Sequence, residues 1–333
     1  MLCAGAVNAG DLEDGDAAYA KKNYAVALVK FKKAAAQGRA DAQSNLGFMY
    51  ENGQGVVQDY AEAMKWYKLA AAQGYAEAQN NLGFLYVIGQ GVVQDYAEGV
   101  KWYKLAAAQG CARAQLNLGV MYGNGHGVVQ DYAEAVKWNR LAAAQGSAFA
   151  QYDLGVMYVN GQGVVQDYAE AVKWYKLAAA QGLALAQNSL GNSYKKGQGV
   201  VQDYAEAVRL YRLAAAQGRA VGSDAAQFNL GVMYNNGQGV VQDYVEAVKL
   251  YRLAAARGDA DAQYNLGLMY SNGQGVVQDH VRAHMWWNLA ATKGDADAVK
   301  NRDIVAAKMT TQKIAEAQKL ARECQARNYK NCD

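Results

Sequence analysis

Two histidines, His280 and His284, stand four residues apart in HVRAHM, a spacing that places both imidazoles on one face of a helix. Such pairs occur in zinc sites, where further cysteine, histidine or carboxylate ligands complete the coordination. No such ligand adjoins this pair in the sequence. Because the two residues replace an aromatic and a core-facing residue of the repeat described below, packed imidazoles are the favoured interpretation, and no metal site is expected.

The segment Ser193–Lys196 matches S-x-x-K, the nucleophile motif of penicillin-interacting enzymes, but the companion motifs S-D-N and K-T-G are absent. The recurring G-x-G loops follow no predicted strand, so they do not make a phosphate cradle. Paired carboxylates such as Asp59 and Glu62 fit a helix start, with Asp59 as N-cap and Glu62 reaching back to it in a capping box. The sequence therefore predicts no catalytic residues and no cofactor.

Two of the four cysteines, Cys324 and Cys332, lie eight residues apart in ECQARNYKNCD, at the end of a predicted helix. A helix end that folds back brings the sulfurs within bonding distance, so we expect a disulfide here and, with it, an oxidising compartment. Two free thiols on a frayed tail are the alternative.

The first ten residues, MLCAGAVNAG, have small residues at Val7–Ala9 as a signal-peptidase site requires, but lack a basic start and an apolar stretch. Residues 1–10 are therefore interpreted as a possible remnant of an export signal, with an ordinary frayed terminus as the alternative.

The composition excludes several classes of protein. The chain has 333 residues and a formal net charge of +3, and its lysines and arginines are spread evenly, so no nucleic-acid partner is expected. No apolar run approaches the ~18 residues of a spanning helix, so no transmembrane segment is expected.

The octapeptide GQGVVQDY begins at Gly53 and recurs, with two near-copies, in seven places along the chain. The glycines that open the copies are residues 53, 89, 125, 161, 197, 237 and 273. Each unit is predicted to contain two helices, Asp41–Gly53 and Asp59–Gly74 in the first copy. The one step of 40 residues, where the others are 36, adds four residues within Gly218–Ala226, and we expect a bulge or hinge there.

Each predicted helix has an apolar stripe at helical spacing. The stripes of the first unit consist of Ala42, Leu46, Met49 and Tyr50 in one helix and Ala63, Met64, Tyr67, Ala70 and Ala71 in the other. Gly74 fits the left-handed residue that follows a helix. Gly47 recurs inside every first helix although glycine costs about 1 kcal/mol relative to alanine there, which indicates a tight helix–helix contact.

Differences among the units concentrate on one face of the first helix. The four variable positions fall within about 80° of one another around the helix axis. We call this face, aligned across the units, the variable strip. Its members are, by position, Asp41, Glu77, Arg113, Phe149, Leu185, Ala225 and Asp261; Ser44, Asn80, Leu116, Tyr152, Asn188, Phe228 and Tyr264; Phe48, Phe84, Val120, Val156, Asn192, Val232 and Leu268; and Glu51, Val87, Gly123, Val159, Lys195, Asn235 and Ser271.

Aromatic and apolar side chains on such a strip are those that an interface for a partner uses. The candidate partner-binding residues are Arg113, Leu116, Phe149, Tyr152, Val159, Leu185, Phe228 and Tyr264. Drift of a solvated face, or packing between repeats at the positions equivalent to Phe48, is the alternative explanation of the variation.

The pattern A-x-x-x-L-G-x-x-Y followed by G-x-G-V-x-x-D-Y-x-x-A-x-x-W-Y-x-x-A-A-x-x-G resembles the Sel-one-like repeat, a longer-looped relative of the tetratricopeptide repeat, from about Asp11 to Arg327. The resemblance implies an all-α, right-handed superhelical solenoid of about eight helix pairs with a C-terminal cap. We therefore expect a tetratricopeptide-like pair at 11–38, seven repeats at 39–294, and capping helices with a tail at 295–333. The loops depart from the family in having valine, as at Val57, where proline is frequent.

By resemblance, the protein is expected to be a non-catalytic scaffold or adaptor that binds a protein or peptide through the concave face of the solenoid. Many bacterial relatives act in the envelope, and some have cysteines spaced like Cys324 and Cys332 that join paired helices. A periplasmic or secreted location is therefore expected, with the cytoplasm as the alternative, and no small-molecule substrate is expected. The alternative function is a cell-wall protein or enzyme that recognises peptidoglycan or β-lactams.

Overall fold

The computed structural model describes residues 10–218 and 220–332, so the possible export-signal remnant falls almost wholly outside the described residues. The contacts divide the chain into two compact units, Met1–Gln166 and Asp167–Asp333. Within the described residues there are 18 α-helices and no strand.

Nine helices belong to the first unit. They are α1 (Gly10–Ala20), α2 (Tyr24–Ala36), α3 (Ala40–Asn52), α4 (Tyr60–Ala72), α5 (Ala76–Ile88), α6 (Tyr96–Ala108), α7 (Ala112–Asn124), α8 (Tyr132–Ala144) and α9 (Ala148–Asn160). Helices α1–α2, α3–α4, α5–α6 and α7–α8 pack as pairs, and each pair packs on the next helix along the chain.

The second unit contains the other nine helices. They are α10 (Tyr168–Ala180), α11 (Ala184–Lys196), α12 (Tyr204–Ala215), α13 (Ser223–Asn236), α14 (Tyr244–Ala255), α15 (Ala260–Asn272), α16 (His280–Ala291), α17 (Ala296–Ala306) and α18 (Thr311–Ala326). Both α17 and α18 pack on α16. The fold class is therefore all-α with paired-helix repeats, as the sequence predicts.

Several residues of the loop octapeptide have a specific structural role. Gly53 ends α3 with a left-handed φ of 64°, the conformation that glycine adopts without strain. Gly55 lies so close to the preceding pair that a Cβ would be 2.6 Å from the carbonyl oxygen of Tyr24. The side-chain amide of Gln58 donates to the carbonyl of Glu51 at 2.8 Å, which fixes the loop on the helix it follows. The repetition of these residues is therefore explained by the repeated loop structure.

Asp59 caps the second helix of the repeat as expected, since its carboxylate accepts the N–H groups of Ala61 and Glu62 at 2.9 and 3.0 Å. The predicted capping box is wrong in its second half. The N–H of Asp59 donates to the carbonyl of Tyr50 at 2.9 Å, and the Glu62 carboxylate pairs with Lys65 at 3.1 Å. The loop returns so close to α3 that a backbone carbonyl takes the place of the glutamate.

The core of the repeats is mainly apolar, and a buried glutamine recurs in it, as at Gln79. The predicted stripes are buried except for Tyr50, which is half-buried. Between successive repeats, the buried Gln79 amide donates to the carbonyl of Ala71 at 3.2 Å and accepts from Gln109 at 2.7 Å. A buried amide with both kinds of hydrogen bond satisfied fixes the position of α5 against α4 and α6.

The four-residue insertion forms a bulge before α13. Gly222 has a left-handed φ of 94° and packs on the backbone of Leu185, where a Cβ would be 2.9 Å from its Cα. Val221 beside it is exposed. Residue 219, within the same loop, lies outside the described residues.

Candidate functional site

The strip residues of the first unit lie on one side of helices α3, α5, α7 and α9. Arg113 is exposed and Phe149 is 53% exposed, whereas Leu116, Tyr152 and Val159 are half-buried. None of these five predicted binding residues is fully buried.

A row of exposed apolar side chains occupies the third strip position of successive repeats. Phe48, Phe84 and Val120 are 39%, 42% and 42% exposed. Because they stand at the same position of α3, α5 and α7, they present a repeated apolar contact point on the strip.

The strip residues of the second unit are more engaged in packing. Leu185 is half-buried against Gly222 of the insertion, where an added Cβ would lie 3.0 Å from a Leu185 methyl group. The Phe228 ring lies 5.9 Å from that of Tyr251. The Tyr264 hydroxyl accepts a hydrogen bond from Asn301 at 3.1 Å. Helical spacing predicts that these residues share one face of the first helices. The residues that pack on them belong to neighbouring elements.

The second strip position also joins repeats through amide hydrogen bonds. The Asn117 amide donates to Asn80 at 3.0 Å, and Asn229 donates to Asn188 at 2.9 Å. Ser44 and Asn80 are buried. Packing between repeats therefore occurs at these residues of the second strip position, whereas the alternative drawn from the sequence places it at the positions equivalent to Phe48.

A cavity of about 330 Å³ opens at the start of the strip. Strip residues Ser44, Phe48, Glu77 and Arg113 form part of its wall. Arg113 and Glu77 pair at 3.7 Å with both side chains largely exposed, so the pair contributes little to stability and leaves both charges available.

A column of aromatic rings explains the recurring interior glycines. A Cβ on Gly47 would lie 2.7 Å from the ring of Tyr67, and one on Gly83 would lie 2.9 Å from that of Tyr103. The sequence predicted the tight contact but not its partner. The same position is tyrosine or tryptophan in six of the seven repeats and asparagine in the third.

That exception, Asn139, lies beside a cavity of about 580 Å³ that is open to solvent and bounded by α7, α8, α9 and their loops. Asp153 of α9 lines the same cavity, and burial raises its pKa to about 6. Neither residue is among the sites predicted from the sequence, although the replacement of tyrosine by asparagine is a visible signal.

The two histidines lie on α16, where His284 is buried, and burial next to Arg302 lowers its pKa. Over residues 10–218 and 220–332, no group of three or more His, Cys, Asp or Glu side chains is arranged to hold a metal ion.

Ser193 of the S-x-x-K motif is buried in α11, and its hydroxyl donates to the carbonyl of Ser189 at 3.2 Å. Serine side chains within helices commonly donate in this way to the carbonyl four residues earlier. Methionine or leucine occupies the equivalent position in the other repeats, as at Met49 and Leu85, so Ser193 stands at a packing position of the fold.

A disulfide joins Cys324 of α18 to Cys332, with their Cα atoms 5.1 Å apart. Cys324 is fully buried, and the intervening Tyr329 donates its N–H to the Cys324 carbonyl at 2.9 Å. Lys293 lies over the Tyr329 ring at 5.6 Å. The disulfide thus closes a tail that packs against the core around α16. Cys111 has a free thiol and is half-buried.

Paired helices in tandem, with a surface made of successive helix faces, define a helical-repeat protein. The sequence model described as the Sel1 repeat matches seven consecutive segments, which are 40–75, 76–111, 112–147, 148–183, 184–218, 224–259 and 260–295. The chain belongs to the Sel1 repeat family.

Two solved structures show the same likeness. A protective antigen of uropathogenic Escherichia coli strains with an SLR fold is 30% identical over 97% of this chain and 92% of its own, with a TM-score of 0.59. A Sel1 repeat protein from Oxalobacter formigenes is 33% identical over 74% of this chain and 97% of its own, with a TM-score of 0.68. No curated protein sequence matches the chain significantly.

Sel1 repeat proteins are generally scaffolds for protein–protein interaction and are typically non-catalytic. In the part of the chain that the structure describes, no helix combines the length and the apolar content needed to cross a bilayer.

Proposed function

We propose that this protein is a non-catalytic scaffold, or adaptor, that binds a segment of a partner protein or peptide along the variable strip, on the concave face of the solenoid. The observation that carries the proposal is the row of exposed apolar side chains Phe48, Phe84 and Val120 at the third strip position of successive repeats, together with the exposed Phe149 at the first strip position of the next repeat. Most of each repeat is otherwise written in nearly identical residues, so variation concentrated on one face is the pattern of a surface adapted to a ligand.

The predicted binding residues divide into two groups under this proposal. Arg113, Phe149 and their half-buried neighbours Leu116, Tyr152 and Val159 make direct contacts with the partner. Leu185, Phe228 and Tyr264 contribute the exposed parts of side chains that also pack against the fold. Aromatic anchors surrounded by half-buried apolar residues are the usual source of affinity at such a surface.

The proposed compartment is the bacterial periplasm or the exterior. The disulfide between Cys324 and Cys332 supports an oxidising environment. The similarity to a protective antigen of E. coli agrees with a location outside the cytoplasm. Nucleic acid and small-molecule substrates are not part of this proposal.

The test is a photo-crosslinking experiment in cells that express the protein natively, with a benzophenone amino acid at position 149. Leu105 of α6 provides the matched control, because it is 51% exposed but lies on a second helix, away from the strip. We expect a partner that crosslinks from position 149 and not from position 105.

The affinity of that partner is then measured for two pairs of variants. Phe84→Asp with Phe149→Asp is expected to weaken binding more than tenfold, whereas Leu105→Asp with Leu141→Asp, also at exposed leucines, is expected to change it less than twofold. Loss of binding from the leucine variants instead would assign the interaction to the second helices and overturn the proposal.

A further inference from the structure

The column of aromatic rings shows what the third repeat lacks. In the first repeat, the Tyr67 ring covers Gly47, and its hydroxyl donates to the Glu51 carboxylate at 2.6 Å. The same hydroxyl also interacts with the side chain of Asn81 in the next repeat. The phenol of Tyr67 thus fills the space between Gly47 and the two polar residues Glu51 and Asn81.

The tyrosine and both of its polar partners have different counterparts around the third repeat. Asn139 stands in place of the tyrosine, Gly123 in place of Glu51, and Asp153, in the fourth repeat, in place of Asn81. The cavity of about 580 Å³ lies where these residues meet. A planar group about the size of a phenol is missing there, and the cavity is therefore a consequence of specific substitutions within an otherwise regular repeat.

Two acceptors in the wall of the cavity have no hydrogen-bond partner among the described residues. Asn139 is only 3% exposed, and its amide nitrogen lies 3.7 Å from the sulfur of Met157. Its carbonyl oxygen Oδ1 is buried and has no hydrogen-bond partner among the described residues. Nor does any donor or cation of the described chain pair with the Asp153 carboxylate, whose pKa is raised by burial alone. Most buried polar side-chain atoms in folded proteins have a hydrogen-bond partner, so the carbonyl oxygen of Asn139 is an exception, as are those of Gln227 and Gln263.

We propose that this cavity, lined by Asn139 and Asp153, binds the guanidinium group of an arginine side chain presented by the partner segment. The source of the arginine rests on the function proposed above. A guanidinium is planar like the missing phenol and carries five N–H donors, two of which can pair with the Asp153 carboxylate in a bidentate contact. The Asn139 oxygen faces Gly119, and this short side chain leaves the room that the guanidinium occupies. The walls contributed by Val120 and Val156 offer apolar contact for the aliphatic stem.

The position of the cavity connects it to the strip. Val120, Gly123 and Val156 are strip positions, and they line the cavity as well. A segment lying along the strip can therefore insert a side chain without leaving its path. A lysine ammonium is a compact point charge that cannot make this planar, bidentate contact with a carboxylate, so arginine is favoured over lysine.

The probe for the test is N-acetyl-arginine methylamide, titrated into the full chain and followed by NMR of the Asn139 side-chain amide and of the Val120 and Val156 methyl groups. Matched probes are the citrulline and lysine derivatives of the same length. We expect saturable shifts with the arginine probe, and at least tenfold weaker binding of the neutral citrulline probe.

Two variants assign the effect to the cavity. Asn139→Tyr restores the ring found in other repeats, and Asp153→Asn restores the residue found in five of them. Both are therefore expected to fold, and circular dichroism checks this. Each is expected to abolish the shifts or weaken probe binding at least tenfold, while Glu62→Gln, which removes an acid on a second helix outside the strip, leaves binding unchanged.

Binding of the arginine probe is also expected to strengthen as the pH rises from 5 to 7.5, because Asp153 becomes ionised. The other titratable groups that line the cavity are His126 and Tyr132. A His126→Gln variant that retains the pH dependence assigns it to Asp153.

Equal binding of arginine and citrulline probes, or undiminished binding by Asp153→Asn, would overturn the inference. The free probe makes the result separable from the proposed function. If the probe binds while the strip variants do not affect the partner, the cavity assignment stands and the strip proposal fails; if the probe does not bind, the cavity assignment fails and the strip experiment is unaffected.

Discussion

Single residues in this protein are best understood by comparison with their equivalents in the other repeats. The tyrosine that covers Gly47 or Gly83 is a structural residue because a ring is required to fill the space over the glycine. At Asn139 of α8 this ring is absent, and Asp153 of α9 lies nearby. A polar cavity takes the place of the packed ring. Substitutions that break a local packing rule are expected where a function replaces the packing.

Asp153→Asn is predicted to stabilise the protein at pH 7.5 and to have little effect at pH 4. Burial raises the pKa of Asp153 from 3.8 to about 6, because the buried carboxyl group favours its neutral form. Ionisation of Asp153 therefore costs the folded state no stability below pH 3.8, and the full penalty is present once the pH has risen through 6. This rise in the pKa of Asp153 corresponds to a loss of about 3 kcal/mol in the free energy of unfolding at neutral pH. Thermal unfolding of the wild type and of Asp153→Asn at pH 4 and pH 7.5 measures the effect. The same difference in melting temperature at the two pH values would contradict the explanation.

His284 predicts the opposite pH dependence. Its folded-state pKa lies below the ordinary value of 6.5 because the imidazole is buried and lies near Arg302. The unfolded chain therefore binds a proton more readily, and stability falls as the pH decreases below about 6.5. His284→Met, with the residue that Met64 provides in the first repeat, is expected to reduce the loss of melting temperature between pH 7 and pH 5. An unchanged slope would show that other groups cause it.

At the scale of the helices, tight pairing explains residues that helix propensity alone opposes. Gly83 lies within α5, where a Cβ would meet the Tyr103 ring at 2.9 Å and the Gly99 carbonyl at 3.0 Å. The backbone carbonyl cannot move aside as a flexible side chain does. The glycine is therefore retained for contact between α5 and α6.

Gly83→Ala is predicted to destabilise the protein by about 1–3 kcal/mol, through overpacking, although alanine favours a helix. Gly123 of α7 is the matched control, because a Cβ there meets only the Ala135 methyl at 3.9 Å. Gly123→Ala is expected to raise stability by up to about 1 kcal/mol. Urea unfolding followed by circular dichroism compares the two, and similar effects of both variants would refute the contact explanation.

The C-terminal elements depend on a covalent link. Closing the short loop between Cys324 and Cys332 restricts the unfolded chain, with a contribution of about 2–3 kcal/mol. Cys332→Ser is expected to lower the melting temperature and to release Tyr329 from the surface near Lys293, which tyrosine fluorescence quenching by iodide measures. Unchanged melting and quenching would show that the tail is held by packing alone.

At the scale of the whole molecule, the repeated sequence predicted the helices to within a residue or two and identified the family. Helix caps, interior glycines and apolar stripes are local signals, and seven copies made each of them visible. The capping box failed at Glu62 because the competing carbonyl of Tyr50 comes from the preceding helix, which a local pattern does not reveal.

The candidate site was only partly predictable for the same reason. Helical spacing placed Phe149 and Phe228 on one face, but only the structure shows that Phe149 is exposed while Phe228 packs beside Tyr251. The cavity at Asn139 could not be found from variation along the first helices, because this substitution lies on a second helix and acts across to Asp153 of the next repeat.

The most direct measurement of the central claim is the affinity of the crosslinked partner for the Phe84→Asp, Phe149→Asp variant against the Leu105→Asp, Leu141→Asp variant, both confirmed as folded. We predict a loss of more than tenfold for the first and less than twofold for the second. Equal affinities, or a larger loss at the leucines, would contradict the assignment of partner binding to the variable strip.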